Sequence, residues 1–208
     1  MKIFKKAFLL SIILLVIFGI GYPLLMTGLS QLALPKQANG SIIDLDGQKV
    51  GSEVLGQIFS DARYFKGRPS AVNYNTYTEA DTKPDKDGKT AYSGVSSGSQ
   101  NLAPSNPALA ERVQKDMDEF LKANPSVKKE DIPADLLTAS GSGLDPHISP
   151  AAAKLQIPSV AKATGISEAE LNKIIEASTE DRQLGVLGEP RVNVLKANID
   201  VFKLLNKK

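Results

Sequence analysis

Residues 7–34 read AFLLSIILLVIFGIGYPLLMTGLSQLAL, a run of 28 residues without a charged side chain. A membrane-spanning helix needs about 20 apolar residues, because each residue adds about 1.5 Å and the hydrocarbon layer is about 30 Å thick. The run therefore predicts a transmembrane helix followed by a short junction. It is longer than the apolar core of a signal peptide, typically about 7–15 residues, so an uncleaved anchor is favoured over a cleaved signal.

Two glycines and a proline lie in the middle of this run, at Gly19, Gly21 and Pro23. They would break a helix in water, whereas membrane helices tolerate them where the backbone kinks or a second helix approaches closely. We therefore expect a kink or a close contact with another helix at this segment.

Charged residues flank the run unequally. Three lysines lie within the first six residues, and only Lys36 follows closely. By the positive-inside rule, residues 1–6 lie in the cytoplasm and residues 35–208 outside it. The three leading lysines leave 22 Lys+Arg against 23 Asp+Glu in the remainder. This near-neutral balance disfavours nucleic acid as a partner.

Residues 35–208 predict a small α+β domain with few strands, mostly before residue 75, and with helices dominant after residue 105. The Asp46-Gly47 pair between apolar segments predicts a β-hairpin. Residues 76–100 are polar almost throughout and predict an exposed, mobile loop or insertion.

Helix signals are clearest in the C-terminal half. Asn106 is a predicted cap for a helix that ends near Asn124. Ser149 opens a short piece, AAAKLQ, and SVAKAT forms a second one that ends at Gly165. An apolar stripe predicts a final helix over about residues 191–206. Between these pieces, Ser167 and Glu170 have the spacing of a capping box.

Residues 137–156, LTASGSGLDPHISPAAAKLQ, contain the side chains most suited to catalysis, including Asp145 and the only histidine, His147. A catalytic triad needs the acid and the serine on opposite imidazole nitrogens, and no nucleophile elbow accompanies this pair. The chain has no cysteine and no paired histidines, so we predict neither a metal site nor a tightly bound cofactor.

Serines leave one catalytic alternative open. Ser140 and Ser142 lie beside this pair, and Ser159 with Lys162 matches the S-x-x-K pattern of penicillin-binding enzymes without its later elements. The alternatives to a single-span interaction module are therefore a membrane-anchored extracytoplasmic serine hydrolase and a ligand-binding module with residues 76–100 as its lid.

An ordered series of motifs, almost end to end, resembles the C subunit of the Kdp-type potassium-transporting ATPase. The series is GYPLLMTGLSQLALPKQANGSII, GQIF, YFKGRPSAVNYN, NLAPSNPAL, DLLTASGSGLDPHISPAAAKLQIPSVAKATG and LGEPRVNVLKANIDV. Residues 96–101, SSGSQN, depart from the family's S-G-G-S-N-like stretch, and residues 78–90 resemble an insertion.

The resemblance implies a non-catalytic, single-pass accessory subunit in the plasma membrane. Its partners would be a potassium-channel-like subunit, a P-type ATPase subunit and membrane lipid. It would assist assembly and act as a catalytic chaperone that raises the ATP affinity of the P-type subunit, so that ATP is met only through the complex.

The resemblance also implies roles for single residues. Gln156 matches a proposed nucleotide contact, although its expected place outside the cytoplasm favours a structural hydrogen bond between short helices instead. The positions expected at partner contacts or in structural loops are Gly19, Gly21, Pro23, Arg68, Pro69, Ser140, Gly143, Asp145 and Asn193.

Overall fold

The computed structural model describes residues 2–92 and 94–207. The chain forms two compact units, Met1–Ser52 and Glu53–Lys208. The first unit holds the apolar helix together with a β-hairpin, so the hairpin groups with the helix and not with the residues that follow it. The second unit holds a three-stranded sheet and, within the described residues, four α-helices.

A helix long and apolar enough to cross a membrane runs over Lys2–Ala33, and an 18-residue window within it has a mean hydropathy of 2.6. It consists of α1 (Lys2–Val16), a π-helical turn (Ile17–Gly21) and α2 (Tyr22–Ala33). At 1.5 Å per residue the helix is about 48 Å long, which exceeds a hydrocarbon layer of about 30 Å. The predicted N-terminal apolar helix is thus confirmed.

The π-helical turn coincides with the segment in which a kink was predicted. The amide of Tyr22 bonds to the carbonyl of Ile17, five residues earlier, where an α-helix would use the fourth. The wider turn ends two residues before Pro23, whose ring lacks an N–H and crowds the carbonyl four residues before it. The proline and the two glycines therefore change the local helical geometry without ending the helix.

The first unit continues with a short helix, α3 (Pro35–Ala38), and two antiparallel strands, β1 (Ile42–Leu45) and β2 (Gln48–Ser52). Asp46 and Gly47 form the two-residue turn, with φ of +53° and +80°. Two positive φ angles match the twist of a hairpin, and Asp-Gly is a pair that adopts them readily. The predicted hairpin is confirmed.

The second unit begins with a long segment without α-helix or β-strand, which we call the irregular segment (residues 53–92 and 94–106). The regular elements follow residue 106. They are α4 (Pro107–Ala123), β3 (His147–Ile148), α5 (Pro150–Thr164), α6 (Glu168–Ala177), β4 (Thr179–Glu180), β5 (Arg191–Asn193) and α7 (Val194–Asn206). The sheet order is β3-β5-β4, and both pairings are antiparallel. The sequence analysis located none of these three strands, because two or three residues are too few to show an alternating pattern.

The core of the second unit lies where α5, α6 and α7 pack around strand β5. Phe65, from the irregular segment, is the largest side chain that is fully buried. The other core residues include Ile148, Ala152, Ala153, Ile157, Val160, Leu171, Ile174, Ile175, Val192, Val194, Ala197 and Val201. The irregular segment is therefore attached to the helices through a buried aromatic ring.

Helix α5 corrects one prediction, because the two expected short pieces form one helix that continues through Pro158. A proline inside a helix costs about 3 kcal/mol. Ile157 and Val160, on either side of it, are both buried. Burial of such side chains contributes about 1.5–3 kcal/mol each, which is enough to keep the helix continuous.

Helix α7 corrects a second prediction, because the helix begins at Val194 and not near residue 191. Residues Arg191–Asn193 belong to strand β5. The side chain of Asn193 accepts a hydrogen bond from the amide of Lys196, at 3.1 Å, and caps the helix. The expected caps at Asn106, Ser149 and Ser167 are confirmed by matching hydrogen bonds, and Gly165 ends α5 in the left-handed conformation. Glu170 accepts from the hydroxyl of Ser167 at 2.9 Å, where a capping box would use the backbone amide.

Candidate functional site

Three irregular segments meet in the second unit, and we call residues 56–75, 94–101 and 137–149 together the loop junction. Three successive carbonyls of the third segment each accept a hydrogen bond from one of the others. The carbonyl of Ser142 accepts from the amide of Gly98, at 2.8 Å. The carbonyl of Gly143 accepts from the hydroxyl of Ser70 at 2.6 Å. The carbonyl of Leu144 accepts from the amide of Gly56 at 2.8 Å.

Glycines make this close approach of backbones feasible. A Cβ on Gly143, whose φ is +68°, would lie 2.8 Å from the carbonyl oxygen of Gly98 and 2.9 Å from Val72. A Cβ on Gly56 would lie 2.5 Å from the carbonyl oxygen of Asp145 and 2.5 Å from the Tyr74 ring. At these two glycines the backbones therefore approach too closely for a side chain, although the loop junction has almost no regular structure.

Tyr74 forms a hydrogen bond within the loop junction. Its hydroxyl donates to the carbonyl of Arg68 at 2.7 Å. Burial raises the pKa of Tyr74 to about 12, and the negative charge of Asp145 adds to this effect. The phenol therefore stays protonated and remains a donor over the physiological pH range.

The serines that suggested a hydrolase have structural hydrogen bonds. The hydroxyl of Ser140 accepts from the amide of Gly143 at 2.9 Å, and that of Ser142 accepts from the amide of Leu144 at 3.1 Å. The hydroxyl of Ser159 donates to the side chain of Asn124 at 2.6 Å. In the described part of the chain, these hydroxyls make no hydrogen bond to an imidazole, so the arrangement required of a triad is not formed.

Arg68 and Asp145 are 77 positions apart in the chain, and they form an ion pair at the loop junction. The distance between Nη1 of Arg68 and Oδ2 of Asp145 is 3.2 Å. Arg68 also donates to the carbonyl of Thr138 at 3.3 Å. Pro69, the next residue, lies in backbone without regular structure. The two residues were predicted separately, and the structure brings them together as a link between two loops.

His147 lies in a row of ionisable side chains that starts from this pair. Its Nδ1 is 3.5 Å from Oδ1 of Asp145, and its Nε2 is 3.8 Å from Oε2 of Glu180. Glu180 in turn pairs with Arg191 at 2.9 Å and with Lys196 at 3.5 Å. The row therefore links the loop junction to strands β4 and β5 and to the start of α7.

Two carboxyl groups of the row have pKa values below their usual range. Burial opposes the ionisation of Asp145, but hydrogen bonds from His147 and the charge of Arg68 outweigh it and lower its pKa. Burial likewise opposes the ionisation of Glu180, and a hydrogen bond from Arg191 together with nearby cationic side chains lowers its pKa. Both groups therefore favour the folded state in their ionised form.

Acid should consequently weaken the second unit through these two groups. A lowered folded-state pKa contributes stability above the unfolded value, 3.8 for Asp145 and 4.5 for Glu180, and this contribution is lost as the pH falls through the folded-state pKa. We expect the melting temperature of the wild type to decrease when the pH is lowered below about 4.5. The decrease should be smaller in Asp145→Asn/Glu180→Gln, because that variant lacks the contribution of both carboxylates at every pH. Near-ultraviolet circular dichroism of the tyrosines in mild detergent measures this.

A variant of two exposed carboxylates, Asp87→Asn/Glu176→Gln, is the matched control for charge removal. It should keep the wild-type dependence on pH. Parallel curves for the wild type and for the Asp145→Asn/Glu180→Gln variant would contradict the assignment of acid sensitivity to these two groups.

Gln156 and Asn198 form a pair of amide clamps on consecutive residues of the irregular segment. Oε1 of Gln156 accepts from the amide of Lys66 at 2.8 Å, and Nε2 donates to the carbonyl of the same residue at 3.2 Å. Asn198 repeats the pattern on Phe65, with distances of 2.8 Å and 2.9 Å. Each side chain thus pairs with the backbone as a neighbouring β-strand would, and holds Phe65 in the core.

The hydrogen bonds of Gln156 can be compared with the two roles that were expected of it. It is buried and bonds to a loop, not to another short helix as one alternative had it. A direct nucleotide contact stays a prediction, and it would require the backbone of Lys66 to give up both hydrogen bonds.

Asn193 also attaches the irregular segment. The side chain of Asn193 is fully buried, and its Nδ2 donates to the carbonyl of Glu53 at 2.8 Å. Its backbone amide donates to the carbonyl of Ser178 at 3.0 Å. Asn198 was not predicted, yet its signal was present in the sequence: a polar residue on the apolar face of a helix, between Val194 and Val201. Ser70 and Tyr74 carried no comparable signal.

A cleft of about 400 Å³ opens between the irregular segment and helix α4. Phe59 and Phe120 supply apolar wall, and Arg68 and Asp116 supply charge. Arg68 already pairs with Asp145, and Asp116 pairs with Arg112 at 2.6 Å. These two charges are paired within the chain, and Lys66 and Glu119 also line the cleft.

Comparisons with known proteins agree on one family. The family described as KdpC, K⁺-transporting ATPase, c chain, matches residues 4–203. The potassium-transporting ATPase KdpC subunit of Clostridioides difficile (strain 630) is 63% identical over 205 residues, 99% of each chain. Those of Clostridium kluyveri and Caldanaerobacter subterraneus subsp. tengcongensis are 56% and 46% identical, each covering 98% of this chain and 96% of the relative.

Proposed function

This chain belongs to the KdpC family of K⁺-transporting ATPase subunits, and from that premise we propose that it is the non-catalytic accessory subunit of a potassium-uptake complex. In this role it assists assembly and acts as a catalytic chaperone that raises the ATP affinity of the P-type subunit. A potassium-channel-like subunit is its second partner.

The observation that carries this proposal is the bare surface of the N-terminal helix. Throughout Lys2–Ala33, which lies in the described part of the chain, no side chain is buried, and the large aliphatic and aromatic residues are exposed. An apolar surface of this length needs lipid or other helices around it. Gly19 leaves open space where a Cβ would stand, so a partner helix can approach there.

The orientation we propose follows from the lysines at the start of the chain. It places the N-terminus in the cytoplasm of a single-pass plasma-membrane protein and residues 35–208 outside. ATP is then remote from the second unit, so the effect on ATP affinity passes through the partner subunits. The buried, bonded state of Gln156 supports this indirect route.

Co-purification tests the proposal directly. A C-terminally tagged chain, extracted in mild detergent, should bring the P-type and the channel-like subunits with it. A chain in which residues 2–33 are replaced by an unrelated single-span helix is the control and should retain less of both. The KM for ATP of the assembled ATPase should rise when the chain is removed.

Two results would contradict the proposal. One is that no polytopic partner accompanies the wild-type chain, and the other is that the KM for ATP is the same with and without it. The orientation is tested separately by a reporter fused after residue 208, which should be active only outside the cytoplasm.

A further inference from the structure

Strand β3 carries a histidine with one unsatisfied nitrogen. Nε2 of His147 is buried, and within the described residues it is the one buried side-chain nitrogen or oxygen that lacks a hydrogen-bond partner. Folded proteins pair almost all of their buried polar atoms, because leaving such an atom without a partner is costly. The exception at Nε2 therefore calls for a physical explanation.

Each imidazole nitrogen of His147 faces a carboxylate from a different part of the fold. Nδ1 is 3.5 Å from Oδ1 of Asp145, and the backbone amide of His147 donates to the same oxygen at 3.0 Å. Nε2 is 3.8 Å from Oε2 of Glu180, on strand β4. Because β5 lies between β3 and β4 in the sheet, a bond from His147 to Glu180 would join the two outer strands directly.

One proton decides whether Nε2 attracts or repels Glu180. A neutral imidazole has one N–H and one bare nitrogen. The hydrogen is assigned to Nδ1, because the Asp145 carboxylate lies nearer to it, so the bare Nε2 and an oxygen of Glu180 are two acceptors facing each other. Protonation turns Nε2 into a charged donor, and the contact can then shorten to a charge-assisted hydrogen bond of about 2.7–2.9 Å.

The row around the imidazole has balanced charges. It contains three acidic and three basic side chains from the loop junction, the irregular segment, β4, β5 and α7, which are Asp145, Glu53, Glu180, Arg68, Arg191 and Lys196. Burial opposes the ionisation of Asp145 and Glu180, but hydrogen bonds and nearby cations lower their pKa values, so both stay ionised in mild acid. An imidazole gains its charge between about pH 8 and pH 5. In that range the net charge of the row therefore changes with His147.

We propose that His147 is a proton-operated switch, which we call the histidine latch. Its protonated form joins β3 and the loop junction to β4, through Asp145 on one nitrogen and Glu180 on the other. Its neutral form leaves Glu180 to Arg191 and Lys196. The histidine latch goes beyond the proposed function, because it requires neither a partner subunit nor a particular side of the membrane.

Nuclear magnetic resonance of the imidazole nitrogens tests the histidine latch, because the chain contains a single histidine. The full chain is labelled with nitrogen-15 histidine and studied in mild detergent at about pH 5.5 and about pH 8, the two ends of the imidazole range. At the lower pH we expect a hydrogen on each nitrogen, with the Nε2–H protected from exchange with water. At the higher pH the hydrogen should remain on Nδ1 alone. An Nε2–H that exchanges freely at the lower pH would overturn the proposal.

Glu180→Ala removes the acceptor that the histidine latch uses. The protected Nε2–H should disappear in this variant. Glu176→Ala is the matched control, because Glu176 is an exposed glutamate on α6 and makes no printed contact with the row. It should keep the wild-type signal. Persistence of the protected Nε2–H in Glu180→Ala would also overturn the proposal.

His147→Gln gives a second, independent readout, because glutamine stays neutral at every pH. Hydrogen exchange is measured by mass spectrometry over residues 178–193 and corrected for the intrinsic effect of pH. In the wild type we expect about two- to fivefold more protection at the lower pH, the range found for partly exposed ion pairs. His147→Gln should show no such difference, and helix α4 should show none in either chain. The same dependence on pH in both chains would refute the histidine latch.

Discussion

Replacement of Gln156 by methionine should lower the stability of the second unit by about 2–4 kcal/mol. Methionine keeps the volume and the unbranched shape of glutamine, so the loss is that of hydrogen bonds and not of packing. The amide and the carbonyl of Lys66 both lose their partners. A buried polar group left without a partner costs about 1–3 kcal/mol.

The measurement is thermal unfolding of the purified chain in mild detergent, followed by the near-ultraviolet dichroism of its tyrosines. For a unit of this size, the expected loss corresponds to a decrease in melting temperature of roughly 5–15 °C. Unfolding of Gln156→Met at the wild-type temperature would refute the clamp as a source of stability.

Asn198→Leu is the matched variant, because Asn198 makes the same pair of bonds to the neighbouring residue, Phe65. If Gln156 acts only as a clamp, both variants should change the KM for ATP of the assembled complex alike. A change confined to Gln156→Met would indicate a direct nucleotide contact, since Asn198 has no such role by resemblance.

Features that depend on neighbours in the chain could be predicted from the sequence. The Asp46-Gly47 turn and the cap at Asn106 need only a few residues and ordinary backbone chemistry, and both are confirmed. The start of α7 was placed too early because Val192 continues the apolar stripe, although it belongs to a strand. An apolar residue fits either element, so periodicity alone could not place the boundary.

Features that depend on distant residues could not be predicted. Arg68 and Asp145 carried no sign that they would pair, since their positions along the chain share no periodic element. Long-range pairing is set by how the core closes, here around Phe65, a residue in a segment without regular structure. The motif glycines did indicate a special backbone, but not which loops would approach them.

Replacement of Gly143 by alanine should strongly destabilise the loop junction. The φ of +68° disfavours any residue with a Cβ, at about 1–2 kcal/mol. The added carbon would also lie 2.8 Å from the carbonyl oxygen of Gly98, a backbone atom that cannot turn aside as a side chain does. We expect a total loss of about 2–4 kcal/mol, because overpacking alone costs about 1–3 kcal/mol.

Gly141→Ala, two positions earlier in the same segment, is the control for the chemical change itself. A Cβ there meets no atom within 4 Å, and its φ is not positive. Its stability should stay within about 0.5 kcal/mol of the wild type. The melting temperatures of the two variants are compared, and hydrogen exchange should accelerate over residues 56–75 and 94–101 only in Gly143→Ala. Equal melting temperatures would mean that the three segments do not depend on their contacts at Gly143, because both variants add the same methyl group to the same loop.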